Sequence, residues 1–308
     1  MNGARPSLRT RLLARTHVES IGDLVFKGFA ALVALAALLV FVLVIGVLIQ
    51  RAMPAIREFG LGFLWGREWD PDGQRFGALP YIAGTLASSL LALVFAVPVA
   101  IGTAVALTEI LDRRLSNPLG ILVELLAAVP SIIFGIWGLA VVVPFVKNIG
   151  PRDNGQSVLA AALVLAVMIL PIITAITRDM FRAVPRAQRE AALALGLTRW
   201  EVTWHVVLPH ARGGTIAAVL LGFGRALGET MAVIMVIGTQ PLLPHSVFDP
   251  GYTISAIIAN EFGDPSGSLH FPALVELGLV LLAASLVINL AARYIVVRYT
   301  RKIRGAKA

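Results

Sequence analysis

Two ionisable residues interrupt an otherwise uncharged apolar stretch: Arg225 and Glu229, within Gly222-Phe-Gly-Arg-Ala-Leu-Gly-Glu-Thr230. A charge in a membrane span costs at least about 2.5–3.5 kcal/mol, so its retention needs a cause. A single helix is expected over 214–239, and on it the two residues lie four apart, share a face and form an internal pair. That pair has two readings. Either the charges cancel and glue this span to its neighbours, or Arg225 presents a planar set of donors to an oxyanion while Glu229 holds or gates it. Gly222, Gly224 and Gly228 leave room around them. No other constellation suggests chemistry. Cysteine is absent, which excludes disulfides and thiolate-bound metals. The five histidines have no paired metal spacing, and no nucleophile–base pair stands in a catalytic context. No catalytic residue, metal or cofactor is expected.

A second feature is the basic segment 178–212. Arg178, Arg182 and Arg186 recur every fourth residue with Arg189 a turn on, a stripe suited to snorkelling toward lipid headgroups. From Ala187 to Leu195 the chain is a good helix former with small side chains. Gly196 supplies a permissive turn, and Thr198 can cap the next helix. Trp200, Trp204, Val207 and Leu208 then recur at i, i+4, i+7 and i+8, a face for the membrane interface or the spans. Pro209 is expected to stop that helix. The Ala-rich helix is left exposed, free to enter a partner's groove, with Glu190 able to pair with a cation there.

These features must be positioned by membrane helices. Hydrophobic residues make up 57% of the 308 and charged residues only 14%, the balance of a polytopic membrane protein. A span needs about 20 apolar residues. Six are expected: between Lys27 and Arg51, Arg75 and Glu109, Leu125 and Val146, and Asp153 and Arg178, then about 214–239 and 272–297. The first is too long, and lacks a small-residue cleavage site, to be a removable signal. Alternate segments hold nineteen Lys and Arg, including Arg5, Arg9, Arg11, Arg15, the 178–212 loop and the tail from Arg293; the opposite loops hold six, Arg152 among them. The positive-inside bias therefore puts both termini and 178–212 in the cytoplasm. The net charge of +8 reflects that bias and anionic lipid rather than nucleic acid.

The 178–212 loop resembles the EAA loop of bacterial ABC importer permeases. Glu190-Ala191-Ala192, three residues, Gly196, nine residues, two aliphatics and Leu208-Pro209 occupy its fixed positions. The resemblance implies an all-α integral membrane protein of six helices with type I (MetI-like) importer architecture, and docking of Glu190, Ala191, Ala192, Gly196, Leu208 and Pro209 onto an ATPase. No phosphate-cradling G-x-x-x-x-G-K-[ST] loop occurs, so that ATPase is another polypeptide. From about residue 60 onward the chain is more narrowly similar to the PstC family of phosphate permeases. The similarity is carried by Phe76-Gly-Ala-Leu-Pro80, Glu124-Leu-Leu-Ala-Ala-Val-Pro-Ser131, Gly224 to Val233 and Thr253 to Glu261. It implies a bacterial inner-membrane importer: a PstA-like second permease, a PstB-like ATPase dimer and a PstS-like periplasmic phosphate-binding protein. In that organisation 1–74 hold the N-terminus, first helix and outer loop, 75–297 the five-helix core, and 298–308 a basic tail.

The outer loops, about 52–80 and 240–271, either contact a binding protein or anchor at the interface through residues such as Trp65 and Trp69. Importing an anion into a negative-inside cell costs roughly 2.3 kcal/mol per charge per 100 mV, so uptake needs coupling. Other readings are a permease for molybdate or sulfate, an ion-coupled secondary transporter with an intramembrane Arg–Glu relay, and a scaffold or sensor. The secondary transporter would be supported by broken helices and matching halves, and no such halves are found.

Overall fold

The computed structural model describes residues 21–151 and 154–305. Arg5, Arg9, Arg11, Arg15, Arg152 and the last three residues of the tail lie outside the described residues.

Contacts divide the chain after Gln50. The first unit is most of a long helix, α1 (Ile21–Phe59). Leu32, Leu35, Leu38, Leu39 and Phe41 on it are all exposed, so apolar side chains run round every face, as suits a helix whose solvent is lipid.

The second unit holds the end of α1 and α2 (Gly62–Trp65), then a two-residue hairpin of β1 (Trp69–Asp70) and β2 (Arg75–Phe76) in which Trp69 faces Phe76. After it come α3 (Leu79–Ile110), α4 (Arg113–Ala127), α5 (Ser131–Ile149) and α6 (Val158–Arg182). The remainder is α7 (Arg186–Ala194), α8 (Arg199–Leu227), α9 (Met231–Val236), α10 (Ile254–Glu261) and α11 (His270–Gly305). Helices α1, α3, α5, α6, α8 and α11 are long and apolar enough to cross a bilayer, six in all among the described residues.

The centre of this unit is α3 against α6. Gly84, Ser88, Ala92, Ala96, Ala100 and Ala104 recur every fourth residue on α3 and are all buried. Lipid tails are as apolar as Leu, so burial alone does not drive helices together in a bilayer; small residues do, by letting backbones approach. Against this stripe α6 contributes fully buried Leu165, Ile169 and Ile173. Gly135 and Gly138 of α5 likewise sit under Met235 and Val164, where a Cβ would collide, and Gly222 of α8 sits under Ile173.

Several expected boundaries move. The third expected stretch, 125–146, splits: α4 ends at Ala127, Pro130 caps the next helix, and the span is α5. Pro185 breaks the stripe of Arg178, Arg182 and Arg186, because α6 ends at Arg182 and α7 begins at Arg186. Pro209 does not stop its helix. A π turn over Thr203–Val207, with the Leu208 N–H bonded to the Thr203 carbonyl, lets α8 run on through Pro209 to Leu227. The widened turn absorbs the bond that proline cannot make. The same device precedes Pro144 in α5.

The hairpin is clasped to the α10–α11 corner. The Trp69 indole N–H donates to Glu261 Oε2 at 2.9 Å, and His270 Nε2 lies 2.8 Å from the same oxygen. His270 Nδ1 accepts from the Ser266 N–H, so Nε2 carries the proton toward Glu261. Gln74 spans the gap, accepting from the Leu269 N–H and donating to the Ser266 carbonyl. Trp69 is therefore an intramolecular strut, whereas Trp65 is 74% exposed.

Candidate functional site

The loop between α6 and α8 is built as a rigid corner. Gly196 holds φ +87 between α7 and α8, and Thr198 and Glu201 form a reciprocal capping box at the start of α8. Trp200 and Trp204 pack edge to face, 5.7 Å apart and exposed, while Val207 below them is fully buried. The Ala-rich helix is not free on all sides. Ala192 is buried among Ala104, Phe181, Val184, Val202 and Ala211, so it seats α7 on its own spans rather than facing a partner. Glu190, Ala191, Leu193 and Leu195 form the exposed surface, Leu195 at 82%.

Two arginines of the expected stripe have specific partners. Arg189 Nη1 lies 2.7 Å from both carboxylate oxygens of Glu109, and Nη2 donates to the Phe181 carbonyl. Glu109 sits in a π turn, Ala106–Ile110, that ends α3. The pair thus ties α7 to the C-terminal end of the central helix. Arg178 Nη2 donates to Glu124 at 2.7 Å and to Asp179 at 3.0 Å, pinning α4 to α6. Spacing on one helix pointed to headgroups; partners on other helices were invisible to it.

Gly196 allows a test. A Cβ at this position meets nothing within 4 Å, so the obstacle to substitution is backbone conformation alone. We expect Gly196→Val to cost about 1–3 kcal/mol of local strain and to reduce ATPase copurifying with the permease severalfold, whereas Gly196→Asn, tolerant of this conformation, retains it. Equal copurification for Val and Asn would show that the corner's geometry is not required.

The intramembrane charges are arranged differently from expectation. Helix α8 ends at Leu227, Gly228 caps it, and α9 begins at Met231. Arg225 and Glu229 are therefore not on one helix. Glu229 Oε1 accepts from the Ala232 N–H at 3.3 Å, capping α9, where the helix dipole favours a carboxylate. Arg225 has no hydrogen bond or ion pair among the described residues and is exposed on the face that also carries Leu221 and Gly228. The break is braced rather than loose. Ser255 donates to the Glu229 carbonyl at 2.7 Å, the Ile254 N–H donates to Thr85 at 3.0 Å, and Thr253 caps α10. Gly84 approaches the Tyr252 carbonyl so closely that any Cβ would overlap it. A short helix buried over its first turn, α10, thus joins the break to α3. Glycines 222, 224 and 228 divide by role: the first is a packing contact, whereas the other two face open space or their own turn.

Residues 96–305 match the family of binding-protein-dependent transport system inner membrane components. The chain belongs to this family: it is a multi-pass inner-membrane permease subunit of an ABC transporter, working with an ATPase and a substrate-binding protein. Among individual proteins it is 42% identical to the phosphate transport system permease protein PstC of Mesorhizobium japonicum, over 96% of each chain. It is 40% identical to the PstC of Pasteurella multocida, over 96% of this chain and 98% of that one. To PstC 1 of Mycobacterium tuberculosis it is 38% identical, over 94% and 97%. The fold matches a chain of a bacterial alginate ABC transporter with a TM-score of 0.62 at 17% identity, covering 91% of this chain and 97% of that one. An inward-facing MetNI methionine transporter matches at 0.55 and 20% identity, covering 72% and 94%. The architecture is that of a type I importer permease, and a broken helix is compatible with it.

Proposed function

We propose that this chain is the transmembrane permease of an ATP-driven importer of inorganic phosphate. The observation that carries the reading is the similarity at about 40% identity, over 94% or more of each chain, to three PstC permeases from different bacterial genera. Its partners are a PstA-like second permease, a PstB-like ATPase pair and a PstS-like phosphate-binding protein, and the chain itself performs no chemistry on substrate. Residues 75–297 form the transport core, with 1–74 and 298–308 as its flanks. Arg225 faces the pathway and meets the anion through its guanidinium fork. Glu229 shapes the pathway by holding the break open. Glu190, Ala191, Gly196, Leu208 and Pro209 belong to the ATPase-docking corner, which Ala192 seats. Both termini and this corner lie in the cytoplasm, in keeping with the Lys and Arg balance.

The test is uptake by the reconstituted importer with labelled phosphate, and with sulfate and molybdate as competitors. Phosphate alone is expected to be transported, dependent on ATP. Equal competition by another oxyanion, or uptake without the ATPase, would overturn the reading.

Topology has a separate check, made clean by the absence of cysteine. We expect Trp65→Cys to react with a membrane-impermeant thiol reagent on intact spheroplasts, and Leu195→Cys only after lysis. Labelling of position 195 from outside contradicts the orientation.

A further inference from the structure

A cavity of about 550 Å³ opens where the end of α3, the start of α4 and the α6–α7 corner meet. Arg113, Arg182, Arg186 and Arg189 line it, with Thr108 and Asn117 between them. Arg189 is committed to Glu109 and the Phe181 carbonyl. The other three make no hydrogen bond or ion pair among the described residues. The nearby acids do not balance them: Glu109 is taken by Arg189, and Glu124 and Asp179 by Arg178. Exposed Asp112, ahead of α4, is one carboxylate against three unpaired guanidinium groups. Two helices also start at this corner. Asp112 precedes α4 and Pro185 precedes α7, and neither makes a side-chain cap. Their N–H ends add positive potential to the arginines.

We propose that this cavity binds a phosphate group on the coupling-loop side of the permease, separate from the pathway residue Arg225. Three planar guanidinium forks around a cleft are suited to phosphate oxygens, which they engage two bonds at a time. The group has two sources, an anionic phospholipid or free inorganic phosphate. For the lipid, α4 supplies a track: Leu115, Leu119, Leu122 and Leu126 lie exposed along one face leading from the cavity, where acyl chains can lie while the headgroup sits among the arginines. For either source the occupant touches the first turn of α7 and lies beside the Arg189–Glu109 pair, so occupancy bears on how the coupling helix is held.

The test uses the intact, purified importer complex and a variant carrying R113Q, R182Q and R186Q. In one arm, native mass spectrometry follows retention of added phosphatidylglycerol. In the other, binding of labelled inorganic phosphate is measured on the membrane complex without its separate phosphate-binding protein and with R225Q present in both proteins, which removes binding at the pathway. The expected result is a loss of at least about tenfold in one arm on removing three charges. Lipid retention that resists millimolar phosphate assigns the lipid; phosphate binding without lipid retention assigns the free ion. Each supports a phosphate-group site, and neither depends on what the pathway transports. Unchanged binding in both arms overturns the proposal. So does loss of ATPase from the complex without any anion binding, which would assign the arginines to carboxylates of the ATPase.

Discussion

Replacing Arg225 with Gln is expected to abolish phosphate uptake, by at least about a hundredfold, while leaving the assembled complex intact. The reason is where the side chain stands. Arg225 is exposed on the free face of α8 and has no partner among the described residues, so its removal orphans no buried group. Substitutions of that kind usually change stability by no more than about 0.5 kcal/mol, and in a membrane helix losing the charge relieves an insertion cost of about 2.5–3.5 kcal/mol. Stability thus predicts a neutral or easier-to-assemble variant, and only a role with the anion predicts loss. R225K keeps the charge and loses the fork, so its uptake should lie well below wild type. E229Q should weaken the cap on α9 by roughly 1 kcal/mol and lower uptake far less than R225Q. Exchanging the two residues should not restore transport, because they are not partners on one helix. The measurement is initial uptake normalised to complex bearing ATPase. Near-normal uptake by R225Q would sink the pathway role.

The contrast between expectation and structure at this site is instructive. The sequence marks Arg225 and Glu229 as costly, leaves a mutual-cancelling and a pathway reading open, and marks the glycines around them. It does not show that Gly228 ends a helix, because spacing of four suggests one continuous turn wherever apolar residues continue on both sides. What decides the break is tertiary: Ser255 and the α10 segment satisfy the backbone that the break frees, as a non-helical backbone at membrane depth requires. The small-residue stripe on α3 was fully legible. Gly84, Ser88, Ala92, Ala96, Ala100 and Ala104 are spaced by four in plain text, and that period alone identifies the packing face. Proline misled in the other direction. Pro209 reads as a helix end, yet a π turn ahead of it, as ahead of Pro144, lets the helix continue. Pairings between distant segments, such as Trp69 with Glu261 and Arg178 with Glu124, had no local signature at all.

Arg189 and Glu109 carry the second large expected effect. Their side chains are 21% and 13% exposed, so each depends on the other for much of its charge compensation. Breaking a buried pair by removing one member costs about 3–5 kcal/mol, and the residual exposure places this pair toward the lower end. The lost free energy is localised: it frees the start of α7 from the end of α3, while Ala192 still seats the helix in its apolar cluster. The permease should therefore fold and bind its ATPase, yet transmit the ATPase's movement poorly. Expected for R189A is ATP hydrolysis near wild type with phosphate uptake reduced at least about tenfold. R189K, able to keep one of the bonds, should lie between. The reciprocal variant, R189E with E109R, discriminates a specific contact from two independent defects. Residues in direct contact give non-additive effects, so the double variant should transport better than either R189E or E109R alone. If its loss instead equals the two single losses combined, or if R189A transports normally, the pair is not the link between the docking corner and the central helix.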